Sequence, residues 1–379
     1  MKLLQRPYQP GDEVGINKLY KLITGQDRSD EQYRWEWMDT WSGQGSIWLA
    51  FDEDRAPGDK LIMQYSLIPI PFSVWGESYL AGKTENCMSH PDLRGKGLYF
   101  LHEQQYFEEA KKRFQIFFTT TGNVAKGAPG AVRRKLGYKA FDSWVNLSFQ
   151  LNAKTGPGSN RKGLSGKTWN VLLPCVRSLL HRYFSWFIPK QSNASMEIVD
   201  ENQAPLKDIE HLWQINKGSY GITVERTAAY LHWRINENPY FRHQYLLYRE
   251  GEALKGYVIF YKIKSNIIKV LDIFAERKDE KVFKEMIKQL IFLAKANHVD
   301  EINCLTSCNN RFLRKIFGSC GFLTGINIRA LSILTTEKNL SQKRPFHVFI
   351  SDNVIKKCQD VLNVRDWYMT ELVFEGREN

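Results

Sequence analysis

Long apolar runs are missing from this 379-residue chain, and with them any segment of the roughly 20 residues that a helix needs to span a bilayer. Cysteine is scarce and scattered. Cys87, Cys175, Cys304, Cys308, Cys320 and Cys358 have neither the pair spacing of a zinc site nor the density of a disulfide-stapled fold. They read as reduced, mostly buried thiols, and no metal site is expected. No secretory leader is expected either, because Arg6, Pro7, Gln9 and Pro10 interrupt any apolar start. A cytoplasmic, soluble globular protein follows from these absences. Residues 152–196 carry seven basic side chains and no acidic one. Residues 1–151 carry 19 basic and 18 acidic side chains, and residues 197–379 carry 27 and 23. More than half of the formal charge of +12 therefore lies in a connecting segment. Neither half is a basic domain, which disfavours a nucleic-acid partner.

What is present is most specific around Arg94-Gly95-Lys96-Gly97-Leu98. Upstream, Tyr79 to Ser89 reads as a strand, and His90-Pro91-Asp92-Leu93 turns the chain. Leu98 to Phe114 then reads as a helix with Leu98, Leu101, Tyr106, Phe107 and Ala110 on one apolar face. Two glycines let backbone approach a phosphate without an intervening side chain. A helix starting behind them aims its unpaired N–H groups and positive dipole end at the same point. The spacing excludes a Walker loop, since no Gly-Lys-Ser/Thr follows it at the required distance, and the third glycine of a dinucleotide fingerprint is missing.

The segment Ser89 to Leu98 resembles the pyrophosphate-binding motif of the GNAT acyltransferases, which use acyl-coenzyme A. Downstream, the strand-like Phe114 to Thr120, the loop opened by Asn123, and Arg133-Arg134-Lys135-Leu136-Gly137-Tyr138-Lys139 resemble the rest of that family's pattern, as do a first strand at Lys2–Arg6 and a first helix at Asp12–Ile23. The resemblance implies acyl-CoA as co-substrate, with no prosthetic group. It implies that two strands splay apart to admit the pantetheine arm, and that Cys87, Met88, Ser89, Arg94, Gly95, Lys96, Gly97, Leu98, Tyr99, Asn123 and Arg133 line the donor site. Two positions depart from the family: Tyr99 replaces a small residue at the end of the motif, and Arg133 replaces a tyrosine that often protonates the thiolate. Glu85 lies on the strand beside the thioester, where related enzymes carry a general base; the alternative is an ordinary edge-strand glutamate. His90 is a rival base, but its place in the turn points to a structural role. Cys87 is read as inert.

The chain repeats itself faintly at an offset of 198 positions. Tyr33 to Trp37 precedes the strand Ile47–Phe51, and Leu231 to Arg234 precedes Tyr245–Tyr248; both halves close on Gly-aromatic, at Gly137-Tyr138 and Gly321-Phe322. The reading is an α/β protein of two tandem GNAT folds, each a mixed, mostly antiparallel sheet flanked by helices. Residues 1–151 form the half with the loop, 152–195 a basic linker and bridging helix, and 196–379 a second copy without the loop, on the acceptor side. In the second copy Ala275 to Glu280 holds no glycine, and Asp279 and Glu280 repel phosphate, while Glu280 to Ala296 keeps a regular apolar face. The helix expected from Pro174 is read as a bridge between the halves, or alternatively, over 174–188, as a surface helix on anionic lipid.

Tandem chains of this kind resemble enzymes that acylate nucleotide-linked amino-dideoxy sugars for bacterial surface polysaccharides such as lipopolysaccharide O-antigen. The likeness rests on length, on the tryptophan-arginine elements and on the turn Asn238-Pro239-Tyr240. It implies direct transfer of acetyl or a small hydroxyacyl group from acyl-CoA to the amino group of a dTDP- or UDP-sugar. The alternatives are a tRNA-dependent aminoacyl transferase of the peptidoglycan-bridge type, also two GNAT folds, and a non-catalytic binding protein derived from the same fold.

Overall fold

The computed structural model describes residues 1–120, 128–151, 179, 182–188, 195–263, 266–324 and 345–374. The first half runs β1 (Leu3–Pro7), α1 (Glu13–Thr24), α2 (Asp30–Tyr33), β2 (Ser46–Asp52), β3 (Leu61–Val74), β4 (Glu77–Thr84), β5 (Met88–Ser89), α3 (Leu98–Ala110), β6 (Ile116–Thr119), α4 (Ala128–Lys135) and β7 (Lys139–Gln150). The second half repeats the sequence of elements: β8 (Met196–Asp200), a helix Leu206–Asn216, β9 (Ile222–Val224), a short helix Ala228–Leu231, β10 (His243–Glu250), β11 (Ala253–Ile263), β12 (Ile267–Ala275), a helix Glu280–Ala296, β13 (Glu301–Ser307), a helix Arg311–Ser319, β14 (Leu323–Thr324) and β15 (Pro345–Ile350).

Local sequence accounts for the main elements. All fourteen residues of β3 are buried, as its near-continuous apolar run requires. Its two prolines, Pro69 and Pro71, fall between the end of β2, which pairs with Leu61–Leu67, and β9, which pairs with Phe72–Val74. Residues that cannot donate to a ladder thus stand where one edge is unpaired. The helix Glu280–Ala296 has the expected bounds and buries Val282, Met286, Ile287, Leu290 and Ala294. In α3 the expected face needs correcting. Leu101 is 59% exposed, and the buried side carries His102, Glu103, Tyr106, Phe107 and Ala110. Two polar residues in that stripe made the apolar periodicity misleading.

The offset of 198 reappears as a two-fold-like seam. Ser29 caps α2 and Thr227 caps the helix Ala228–Leu231, each accepting from a backbone N–H three residues on. Both helices run into π-turns, Arg34–Met38 and His232–Asn236, which bring Trp35 and Trp233 together. The two indoles stack at 5.3 Å, and each donates its ring N–H to the other's backbone carbonyl, at 2.8 and 2.9 Å. Arg28 and Arg226, also 198 apart, are both fully buried in ion pairs, with Glu36 and Asp272 respectively.

The halves do not keep their strands to themselves. A single mixed sheet runs β1-β2-β3-β4-β6-β15-β7-β13-β12-β11-β10-β8, with β5 and β9 on β3, and β14 on β7. β15, from the end of the chain, inserts between β6 and β7 of the first half. β7 pairs β15 through its first residues and β13 through Trp144–Gln150, so it belongs to both halves. With this strand exchange, one large buried cluster runs through both halves, beside two smaller ones in the first. We therefore expect one cooperative calorimetric transition for the whole chain, and Trp35→Ala should destabilise it by about 3–5 kcal/mol. Two separate transitions, or a Trp35→Ala effect under about 1 kcal/mol, would contradict this coupling.

Candidate functional site

β4 and β6 lie parallel but pair only through Ala81–Lys83 with Ile116–Phe118. The cause is a bulge. Leu67 of β3 opposes Thr84 and Gln64 opposes Met88, so Glu85, Asn86 and Cys87 face only Ser66 and Tyr65. Asn86 takes a left-handed backbone (φ 46°) to make the extra turn. Ser66 holds the bulge from both sides: its carbonyl accepts from Glu85 N–H at 3.2 Å, and its hydroxyl donates to the Glu85 carbonyl at 2.6 Å. The chain then follows β3 away from β6, leaving a gap between the two strands. His90 N–H turns to Ile62 of β3 at 2.8 Å. By strand alternation the N–H of Ser89 points to the opposite edge, into the gap.

Just past the bulge, His90 caps the turn Pro91–Leu93 with its ring nitrogen, a structural role. Gly95 and Gly97 adopt φ of +79° and +75°, and a Cβ at either would meet nothing within 4 Å, so the concave side is open to solvent. Arg94, Lys96 and both glycines are exposed. Gly97 is the N-cap of α3, and as an N-cap without a side chain it leaves the N–H groups of the first turn to an outside acceptor. Backbone strain at positive φ, rather than lack of space, calls for glycine at both positions.

On the α3/α4 side the gap is closed by a buried polar cluster. Arg133 of α4 and Glu103 of α3 form an ion pair with both side chains inaccessible. Around the guanidinium stand Tyr65, Tyr99, Tyr138 and Cys87. Burial, opposed by Arg133, pushes the Tyr138 phenol up to about 12. His347 of β15 sits opposite Thr119 of β6; burial, then the nearby charges of Arg133 and Arg134, lowers its pKa. The tyrosine hydroxyls turn to their neighbours, Tyr65 and Tyr138 to each other, Tyr138 also to Thr84, and Tyr99 to Cys87, while neither ring nitrogen of His347 closes a hydrogen bond with another described residue.

The candidate residues separate accordingly. Cys87, Met88, Ser89, Arg94, Gly95, Lys96, Gly97, Leu98 and Tyr99 follow one another along the bulge, turn and helix start, and Arg133 faces them from α4. Asn123 lies outside the described residues. Tyr99 turns its hydroxyl inward, toward Cys87 and Arg133, rather than onto the glycine turn. Glu85 lies near the gap, 19% exposed, with one carboxylate oxygen 2.5 Å from the ammonium of Lys83, which is fully buried. Lys83, Glu103 and His347 went unnoticed in the sequence. Lys83 and Glu103 sit among apolar strand and helix residues, and His347 is more than 200 positions from the loop. Cys87 has no histidine partner among the described contacts; its thiol lies against the carbonyls of Ser66 and Glu85 and the hydroxyl of Tyr99. The described residues hold no cluster of three metal-type ligands.

The second half has a corresponding gap. β12 and β13 pair only through Ile267–Val270 with Glu301–Cys304. Here the chain's own segment 367–374 fills it. Tyr368 donates from its hydroxyl to the Ile273 carbonyl, the Thr306 hydroxyl to the Met369 carbonyl, and Thr370 to Asp272. Trp367, Tyr368, Met369, Leu372 and Val373 are all at most 2% exposed. At the helix start of this half, the Asp279 carboxylate accepts from Val282 N–H, so a built-in anion occupies the place of the glycine turn. Trp35, Trp233 and Tyr240, from the elements on which the sugar-acyltransferase likeness rests, are packed into the seam. Tyr240 packs edge-on against Trp35 and donates to Glu36. Asn238 accepts from Tyr240 and Phe241 N–H, which makes its turn structural.

Neither a protein-family model nor a curated protein matches the sequence. Solved structures do match the fold. A probable N-acyltransferase from Enterococcus faecalis V583 superposes over 93% of this chain and 73% of its own, with a TM-score of 0.60 at 11% identity. A GCN5-related N-acetyltransferase from Anabaena variabilis covers 92% and 73%, with a TM-score of 0.56 at 13% identity. Saccharomyces cerevisiae N-myristoyltransferase, solved with bound myristoyl-CoA, covers 92% and 80%, with a TM-score of 0.51 at 12% identity. The chain has the GNAT fold. At this level of identity the likeness carries the architecture and no more.

The glycine turn is the part of the site most open to test. Gly97→Asp places a carboxylate at a left-handed N-cap facing the open concavity. We expect acetyl-CoA affinity, measured by calorimetry, to fall at least about tenfold from charge repulsion at the helix end. Unchanged affinity in a folded variant would remove the turn from the site.

Proposed function

We propose that this protein is an acyl-CoA-dependent N-acyltransferase whose donor binds in the gap between β4 and β6. The observation that carries the reading is the joining of that gap to the open Gly95–Gly97 turn at the start of α3. The turn takes the pyrophosphate, and the unpaired strand edges take the pantetheine amides. The thioester then lies near the bulge, with the N–H of Ser89 placed to polarise its carbonyl.

In this reading Glu85 accepts the proton of the acceptor amine, directly or through one water, and Lys83 fixes the carboxylate in place. The amine attacks the thioester carbon, the carbon–sulfur bond breaks, and the thiolate leaves toward the Arg133 cluster. Arg133 holds positive charge there but cannot act as an acid. Its flanking phenols, Tyr99 and Tyr138, are the O–H groups able to return the proton. The acceptor we propose is the amino group of a nucleotide-linked amino-dideoxy sugar, receiving acetyl or a small hydroxyacyl group in the cytoplasm. Support for this finer step is the chain-wide sequence resemblance. The glycine turn favours it over a tRNA-dependent donor.

Acetyl-CoA should raise the melting temperature, and dTDP or UDP should add a second, separate increment. Glu85→Gln should keep the acetyl-CoA shift while lowering kcat at least about a hundredfold on a dTDP- or UDP-linked amino sugar. No nucleotide response would reject the sugar acceptor. A Glu85→Gln enzyme of full activity would reject the base.

A further inference from the structure

The side chains of β4 divide between two faces. A Cβ on Gly82 would meet the side chains of Leu67 and Phe114, and the Thr84 hydroxyl turns to Tyr138, so both residues face the α3/α4 layer. Alternation puts Lys83 on the other face with Ala81, toward the large core that runs through both halves. Its cross-strand neighbours, Ile68 of β3 and Phe118 of β6, belong to that core. Lys83 is also the last residue of β4 to pair with β6, so it stands at the closed end of the gap. Its side chain is fully buried. Desolvating an ammonium is unfavourable, and packing alone would put an apolar side chain between Ile68 and Phe118.

Acyl transfer from a thioester needs an amine and a group that takes the amine's proton. Lys83 and Glu85 are such a pair, 2.5 Å apart. They lie on the face of the sheet opposite the Arg133 cluster, toward which the thiolate leaves. When a donor fills the gap and displaces water, the pair loses solvent screening. Passing a proton from Lys83 to Glu85 then leaves two neutral groups, the form that a low-dielectric site favours. We propose that Lys83 is a site of self-acylation, taking the acyl group from bound acyl-CoA when no acceptor is in place; this rests on the donor reading above. The Lys83 nitrogen bonds the thioester carbon, and the carbon–sulfur bond breaks. The ammonium gives up two protons, one to Glu85 and one to the departing thiolate. The products are a neutral amide and free CoA. An amide does not pass its acyl group on, so the step is a dead end for the transfer reaction. It removes the charge that holds Glu85 and fills the closed end of the gap. Donor in excess over acceptor thus shuts the site.

Incubating the full chain with acetyl-CoA and no acceptor, then mapping acetylated peptides by mass spectrometry, tests this directly. We expect acetylation at Lys83, at a rate that saturates with acetyl-CoA and falls at least about tenfold in Glu85→Gln. Lys83→Arg should carry no label in that peptide. Should Lys83→Arg fail to fold, Glu85→Gln alone carries the comparison. Uncatalysed acetylation of lysines is measured on the chain unfolded in urea. Calorimetric titration of the same folded sample with acetyl-CoA separates two failures. Binding without acetyl-Lys83, or a Lys83 labelled no faster than in the unfolded chain, overturns self-acylation and leaves the donor site standing. A Glu85→Gln rate equal to that of the unaltered protein also overturns it. Absence of binding by the folded protein removes the donor site and self-acylation together.

Discussion

A parallel strand pair that separates part-way along leaves backbone groups facing a gap, and buried N–H and C=O groups must find partners somewhere. Each half of this chain contains such a pair, β4 with β6 and β12 with β13. Much of the structure follows from how the two gaps are handled. In the second half the gap is closed from within: residues 367–374 thread into it, hydroxyls of Tyr368 and Thr306 join it to the flanking strands, and Asp279 neutralises the helix start. In the first half nothing comparable happens among the described residues. A glycine turn stays open, and Arg133, Glu103 and three tyrosines form a buried polar cluster beside the gap. One of the two gaps thus stays open and the other becomes a structural joint.

The joint also explains why the halves are inseparable. The segment that fills the second gap is preceded by β15, which completes the first sheet, while β7 serves both sheets. The reciprocal Trp35–Trp233 contact sits at the centre of this exchange, flanked by the buried pairs Arg28–Glu36 and Arg226–Asp272. Truncating one partner of such a pair leaves a buried charge without compensation, at a cost of about 3–5 kcal/mol. Distortion of the second half should therefore reach the first through the shared strands.

Local features of the design were legible in the sequence. The glycine turn, the helix behind it and the repeat offset of 198 are visible because glycine, caps and tryptophan leave strong local signals. The helix Glu280–Ala296 was legible to the residue, since its apolar period is clean. Elements that depend on distant partners were not. Nothing near residue 345 announces a strand that joins β6 more than 200 positions earlier. The inward face of α3 was misread at Leu101 because Glu103 and His102, polar residues, are buried against Arg133 and the first strands. Trp35, Trp233 and Tyr240 serve the seam: composition shows that aromatic surface is present, while topology decides what it touches.

Calorimetric titration of the full chain with acetyl-CoA tests the central claim most directly, because it counts open gaps. The account predicts one molecule bound per chain, with the second gap held shut by residues 367–374. A stoichiometry of two would mean that this segment yields to ligand. Absence of binding by the folded protein would mean that the open gap and its glycine turn do not form a donor site.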